Sequence, residues 1–318
     1  RVVHFDLKGA PPKIEYFDWL FPMLKRWGAT GVLMEYEDMF PYNGKWSVLR
    51  QPHAYGLEDV RHIEEVAGRN DLHIIPLIQT FGHLEFLLKH DVCASIREVP
   101  SSPQALCPLN EQSIVVVGEL MQQVISAHRH IKYFHIGADE VGRMVNLGHC
   151  PRCRQTGDTT TLFFHHVRRV LNYLTQFRPD LHIIMWDDMF REVDVLILEA
   201  AGIGDLVQPM VWMYTPQLHF PEGMWERYMK VFSKLWVASA FKGASGVNQR
   251  ATPISHHIEN NKGWLFKMEF GEEQGVSCKF VGYAITGWSR YDHYQMLCEL
   301  LPVGLPSLAL CLLTLTHG

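Results

Sequence analysis

Short apolar runs alternate with longer amphipathic stretches along this 318-residue chain. Runs rich in Val, Ile, Leu, Phe and Tyr cover Val2–Lys8, Gly31–Glu37, His73–Gln79, Tyr133–Glu140, His182–Asp188, Leu206–Tyr214, Leu235–Phe241 and Phe280–Trp288. Their composition and length predict strands. Between them, apolar residues recur with helical spacing over Tyr16–Trp27, Leu57–Arg69, Gln112–His128, Thr161–Phe177, Pro221–Ser233 and Ile254–Phe270. A last helix is expected over Tyr291–Leu301, with a further turn or two near Leu308–Leu315.

Strands alternating with helices, with no linker rich in Gly, Ser or Pro, predict one α/β domain over residues 1–318. The expected architecture is a (β/α)8 TIM barrel. An open doubly wound sheet is the alternative, and it usually carries a glycine-rich phosphate turn after its first strand. Here that strand runs into Asp6-Leu7-Lys8-Gly9-Ala10-Pro11-Pro12, which lacks that fingerprint.

Composition narrows the function classes. Hydrophobic residues make up 47% and charged residues 20%, as in ordinary globular proteins. Net charge is −5 with no basic cluster, so no nucleic-acid groove is expected. No apolar run reaches the ~20 residues of a membrane span. The seven cysteines have no regular spacing, which argues against a disulfide framework. Cys150-Pro151-Arg152-Cys153 is a lone pair without the second pair of a zinc ribbon, so a loop with two thiols is expected rather than a metal site. No cofactor and no metal are expected. The chain starts directly in a strand pattern, and none of its eight asparagines sits in an Asn-x-Ser/Thr acceptor. A cytoplasmic or nuclear protein is the expectation. His165-His166 and His256-His257 lie in helical patterns and are expected at the surface.

In a barrel of this type, chemistry sits at the C-terminal ends of the strands. There the chain places Asp6, Lys8, Glu35, Glu37, Asp38, Gln79, His83, Asp139, Glu140, Trp186, Asp187, Asp188, Trp212, Tyr214, Trp288, Arg290 and Asp292. Tryptophan faces stack on the C–H faces of sugar rings, and carboxylates accept from sugar hydroxyls. The mixture predicts a carbohydrate site. Asp139 and Glu140 are the centre of it. As strand neighbours they are expected to aim different ways and do different work.

His135-Ile136-Gly137-Ala138-Asp139-Glu140 resembles the His-x-Gly-Gly-Asp-Glu signature of glycoside hydrolase family 20, the β-N-acetylhexosaminidases, with Ala138 in place of the second Gly. Gln79-Thr80-Phe81-Gly82-His83 is similar to the family's third-strand motif, Trp212-Met213-Tyr214 to its Trp-x-Tyr, and Trp288 to the tryptophan that closes its sugar pocket. Glu35 to Phe40 and Gly287 to Tyr294 look more like the hexosaminidase D branch of that family.

The resemblance implies exo-acting removal of terminal β-linked N-acetylgalactosamine or N-acetylglucosamine with retention. The substrate's own acetamide oxygen would be the nucleophile. Glu140 would be the general acid, its pKa raised by burial and by its acidic neighbour. Asp139 would accept the acetamide N–H, and Tyr214 would donate to the acetamide carbonyl. Trp186, Trp212 and Trp288 would wall the pocket, and Asp187 would contact hydroxyls or the acetamide. His83 would orient Asp139. Lys8 stands where many members have Arg, so Lys8, Glu37, Arg290 and Asp292 would meet the hydroxyls. The branch resemblance suggests N-acetylgalactosamine, and relatives are often homodimers. The alternatives are a weak or inactive sugar-binding barrel, an O-GlcNAc hydrolase or a chitinase. The last has an Asp-x-x-Asp-x-Asp-x-Glu strand that His135–Glu140 does not match.

Overall fold

The computed structural model describes residues 1–141, 147–273 and 279–318. Ten strands are present among them: β1 (Val2–Asp6), β2 (Gly31–Glu35), β3 (His73–Leu77), β4 (Arg97–Val99), β5 (Ser102–Leu106), β6 (Tyr133–His135), β7 (His182–Trp186), β8 (Val207–Trp212), β9 (Lys234–Lys242) and β10 (Lys279–Gly287). Eight of them close a parallel barrel in the order β1-β10-β9-β8-β7-β6-β3-β2. The pairing Val2↔Ala284 closes the ring and Leu77↔His135 bridges β3 to β6. The expected barrel is the observed one. The hairpin β4–β5 lies outside the ring and was not anticipated, because its strands are too short to show periodicity.

Alternation along the strands divides the molecule into two cores. Leu33, Leu77, Ile184, Trp186, Met210, Trp236, Ala238 and Ala284 pack inside the barrel. Val3, Phe5, Val32, Met34, Met185, Val211 and Phe241 face the helices instead, where Phe17, Leu20, Leu120, Val170 and Leu312 cover them. The helices follow from their apolar stripes and caps. Asp158 accepts from the N–H groups of Thr160 and Thr161 at the start of Thr159–Phe177, and Asn110 accepts from Gln112 at the start of Glu111–Ala127.

Three expectations about the periphery are corrected. Tyr291 to Leu300 form no helix; the last helix is Leu301–His317. Asp292 Oδ1 accepts from the N–H groups of Tyr294 and Gln295, as a helix cap would, but the chain goes on in turns and bends rather than in a helix. Pro302 is tolerated because it sits in the first turn. Leu308–Leu315 belongs to this helix, with Leu308, Leu312 and Leu315 buried. Second, the helix expected over Pro221–Ser233 is shorter, Met224–Val231. Third, His166 and His257 are fully buried. His166 Nε2 lies 2.8 Å from the Thr80 carbonyl and its ring packs at a tilt against Phe81, so one histidine of the pair faces inward.

Candidate active site

The C-terminal rim of the barrel encloses a cavity of about 260 Å³. Its lining includes Lys8, Glu37, Gln79, His83, Asp139, Glu140, Trp186, Trp212, Tyr214, Trp288, Arg290 and Asp292. Eleven of the twelve expected site residues therefore meet in one place. A larger concavity of about 470 Å³ at the opposite end, around Val2, His73 and Trp236, holds no paired carboxylates. In this fold that end serves stability.

Asp187 is the exception. Inward positions of β7 are Ile184 and Trp186, so strand parity sends Asp187 outward and Asp188 inward. Asp187 is fully buried under the rim, where it takes two bonds from the Arg191 guanidinium, at 2.8 and 2.6 Å, and one from Tyr228 Oη at 3.0 Å. Asp188 accepts the Glu140 N–H at 2.8 Å and the Trp212 indole N–H at 3.1 Å. Asp187, expected to contact hydroxyls or the acetamide, thus supports the rim from outside, while Asp188 holds the Glu140 backbone and the Trp212 indole. Counting parity from Trp186 would have found this.

Asp139 and Glu140 do not point to opposite faces. β6 ends at His135, and Gly137, Ala138 and Glu140 have positive φ (64°, 69° and 52°), so the chain has left the extended conformation in which alternation applies. Both carboxylates turn to one imidazole. His83 Nε2 lies 3.6 Å from Asp139 Oδ2 and 3.3 Å from Glu140 Oε2. Gln79 secures the aspartate: its amide donates to Asp139 Oδ1 at 3.1 Å while its oxygen accepts the Ala138 N–H at 3.1 Å. Its amide also donates to Glu35 Oε1 at 3.4 Å, joining the ends of β2, β3 and β6. Gly137 makes room for this amide, since a Cβ there would sit 2.0 Å from Gln79 Oε1.

The electrostatics revise the expectation for Glu140. Its hydrogen bond with His83 holds its carboxyl below the usual range, against burial. Burial alone would lower the His83 pKa, but Asp139, Glu140 and Glu85 outweigh it and push it up to about 10. Burial raises Asp139, and the His83 charge opposes that rise. Asp188 is pushed up to about 7 by burial and by the charges of Asp139 and Asp187. Burial raises the Tyr214 phenol well above its ordinary value, which keeps it a donor.

The hydroxyl side is ionic. Lys8 Nζ lies 2.7 Å from Asp6 Oδ2 and 3.7 Å from Glu37 Oε1. His293 bridges Glu37 and Asp38 through its two ring nitrogens, and Arg290 Nη2 lies 3.2 Å from the Nδ1 that faces Asp38. Burial opposes protonation of His293, but Glu37 and Asp38 prevail and push it up to about 9. The aromatic wall comes next: the Trp186 and Trp288 rings lie 6.0 Å apart, and Trp212 stacks with Tyr214 at 5.1 Å. The indole N–H of Trp186 is buried without a partner among the described residues. Sequence reasoning placed Gln79 and Asp188 on the rim without a contact to substrate, and did not reach His293, Gln104 or Tyr291. Gln104 and Tyr291 line the cavity from the hairpin and from the loop before the last helix.

The profile of glycosyl hydrolase family 20, catalytic domain, matches residues 21–217. Hexosaminidase D of Bos taurus is 44% identical over 326 residues, covering 100% of this chain and 92% of its own length. Hexosaminidase D of Homo sapiens is 43% identical over 324 residues, and this chain spans 66% of it. The fold is also that of the GH20 exo-β-N-acetylglucosaminidase from Vibrio harveyi, with a TM-score of 0.68, 14% identity, and 99% of this chain and 53% of that one covered. This chain belongs to glycosyl hydrolase family 20 and is a glycoside hydrolase of the hexosaminidase type.

Proposed function

We propose that this protein is an exo-β-N-acetylhexosaminidase that removes terminal β-linked N-acetylgalactosamine or N-acetylglucosamine with retention of configuration. The supporting observation is that Asp139, Glu140 and Tyr214 line one small cavity with three tryptophans. At about 260 Å³ it lies just below the usual range of drug-sized pockets, a scale that suits one sugar ring and hence exo action.

The acetamide oxygen attacks the anomeric carbon as the glycosidic C–O bond breaks, and Glu140 gives its proton to the leaving oxygen. Asp139 accepts the acetamide N–H and balances the positive oxazolinium. The Tyr214 hydroxyl donates to the acetamide oxygen and holds it in line. Water then adds at the anomeric carbon from the same face, returning its proton to Glu140. Fixing an intramolecular nucleophile in this way supplies up to roughly 7–11 kcal/mol. The imidazolium–carboxylate pair His83/Glu140 holds the same proton count as a neutral imidazole beside a carboxylic acid. The proton that the leaving group needs is therefore stored within the site, although Glu140 alone is held ionised.

The test is hydrolysis of an aryl β-N-acetylgalactosaminide and its gluco counterpart, with a thiazoline analogue as inhibitor. Hydrolysis of at least one, with the β-anomer formed first and tight thiazoline inhibition, is expected. Absence of both hydrolysis and inhibition overturns the proposal.

A further inference from the structure

Beyond the catalytic cavity, a second cluster of reactive side chains lies between the β4–β5 hairpin and the loop that leaves β6 through Glu140. Cys107 Sγ is 3.4 Å from Cys150 Sγ and 3.6 Å from Cys153 Sγ, and Cys153 Sγ is 3.3 Å from Glu98 Oε2. One donor atom from each of the four residues lies within 4.8 Å of every other. Glu98, Cys107 and Cys153 are at most 2% exposed, and Cys150 is 8% exposed. The lone Cys-x-x-Cys of the sequence therefore has a third thiol and a carboxylate. They come from 43 and 52 residues upstream, a distance at which spacing carries no signal.

We infer that Glu98, Cys107, Cys150 and Cys153 form a structural zinc site. Four protein donors of this kind close a tetrahedral shell. With Zn–S near 2.3 Å and Zn–O near 2.1 Å, tetrahedral edges are about 3.8 Å between sulfurs and about 3.6 Å from sulfur to oxygen. The observed separations fall a few tenths of an ångström inside those edges. They are far beyond the ~2.05 Å of a disulfide. Three thiolates among four donors select a soft ion over magnesium or calcium.

The outer contacts fit a ligand set as well. Glu98 Oε1 accepts the N–H groups of Gly148 and Cys150, both at 3.0 Å, which leaves Oε2 directed at the sulfurs. Cys150 Sγ accepts the Cys153 N–H at 3.3 Å. Such bonds fix ligand orientation and temper the negative charge of the shell.

The ion would join two segments that shape the active cavity. The hairpin is bonded to the third-strand loop, with Leu84 N–H donating to the Gln104 carbonyl and Leu106 N–H to the Phe81 carbonyl on either side of His83. The other segment begins at Glu140. Zinc would thus brace the hairpin that holds the His83 loop in place.

Elemental analysis of the purified full chain, after dialysis against zinc and then buffer, tests this. About one equivalent of bound zinc is expected, falling to background in Cys107→Ser and Cys153→Ser. Cobalt loading should give a thiolate-to-metal charge-transfer absorption that the same variants lose. Glu98→Gln keeps the oxygen that accepts both N–H groups, so it preserves the fold while its zinc affinity against a competing chelator drops at least about tenfold. Substoichiometric zinc with no charge-transfer band, or a disulfide among these cysteines in the native protein, overturns the inference. None of these readouts depends on glycosidase activity.

Discussion

His83 Nε2 stands 3.3 Å from Glu140 Oε2, and the imidazole, rather than a raised carboxyl pKa, keeps a proton beside Glu140. The pair retains that proton until pH passes the raised His83 pKa of about 10. His83→Gln removes the reservoir and leaves Glu140 to titrate on its own. The basic limb of the kcat/KM profile should then move to lower pH by more than a unit, with kcat reduced at neutral pH. An unchanged basic limb would place the proton elsewhere.

Glu140→Gln separates acid catalysis from binding. Substrates with poor leaving groups should slow by about 10²–10⁴-fold, because they need protonation as the bond breaks. Activated aryl substrates should slow far less. Equal slowing of both classes would remove Glu140 from the acid role.

Gly137 and Ala138 share a left-handed backbone but should respond oppositely to substitution. Gly137→Ala drives a Cβ to 2.0 Å from Gln79 Oε1 and displaces the amide that holds Asp139. A loss of about 1–3 kcal/mol in unfolding free energy is expected, along with a marked fall in kcat. Ala138→Gly relieves a Cβ at φ 69° and should gain up to about 1 kcal/mol. Denaturant midpoints for the two variants provide the check.

Asp188 makes stability depend on pH near neutrality. Its folded pKa is raised to about 7, so its contribution is complete below about pH 4 and is lost as pH climbs through 7. The Glu140 and Trp212 N–H groups take separate oxygens of Asp188, so Asp188→Asn keeps an acceptor for one of them and cannot ionise. Unfolding free energy measured from about pH 4 to about pH 8 should fall less steeply in the variant than in the parent. Parallel curves would refute the assignment.

The barrel was legible because each strand advertises itself by an apolar start and a polar end. Most of the site was legible because those ends carry unusual side chains. What failed did so for identifiable reasons. The turn at Gly137 and Ala138 abolished the alternation expected of Asp139 and Glu140. Asp187 was assigned against the parity of Trp186. His293 reaches Glu37 across 256 residues of chain, and no local pattern encodes such a contact.

Asp187→Asn tests the corrected parity. The variant keeps the volume but loses the bidentate partner of Arg191, so a cost of about 3 kcal/mol in stability is expected. KM should rise more than kcat falls, because Trp212 loosens. A drop confined to kcat would return Asp187 to the reaction centre.

Arg191 sits beside Asp187 beneath the rim. Its guanidinium grips Asp187, donates to the Trp212 carbonyl at 2.7 Å and lies 4.8 Å from the centre of the Trp212 ring. The slab against which a sugar would rest is hinged on a charged joint that no ligand meets. Lengthening that joint by one methylene, as in Asp187→Glu, would slide the slab and change the width of the slot. Tolerance for bulkier acyl groups could then be adjusted from beneath the floor, with every ligand-facing atom left as it is.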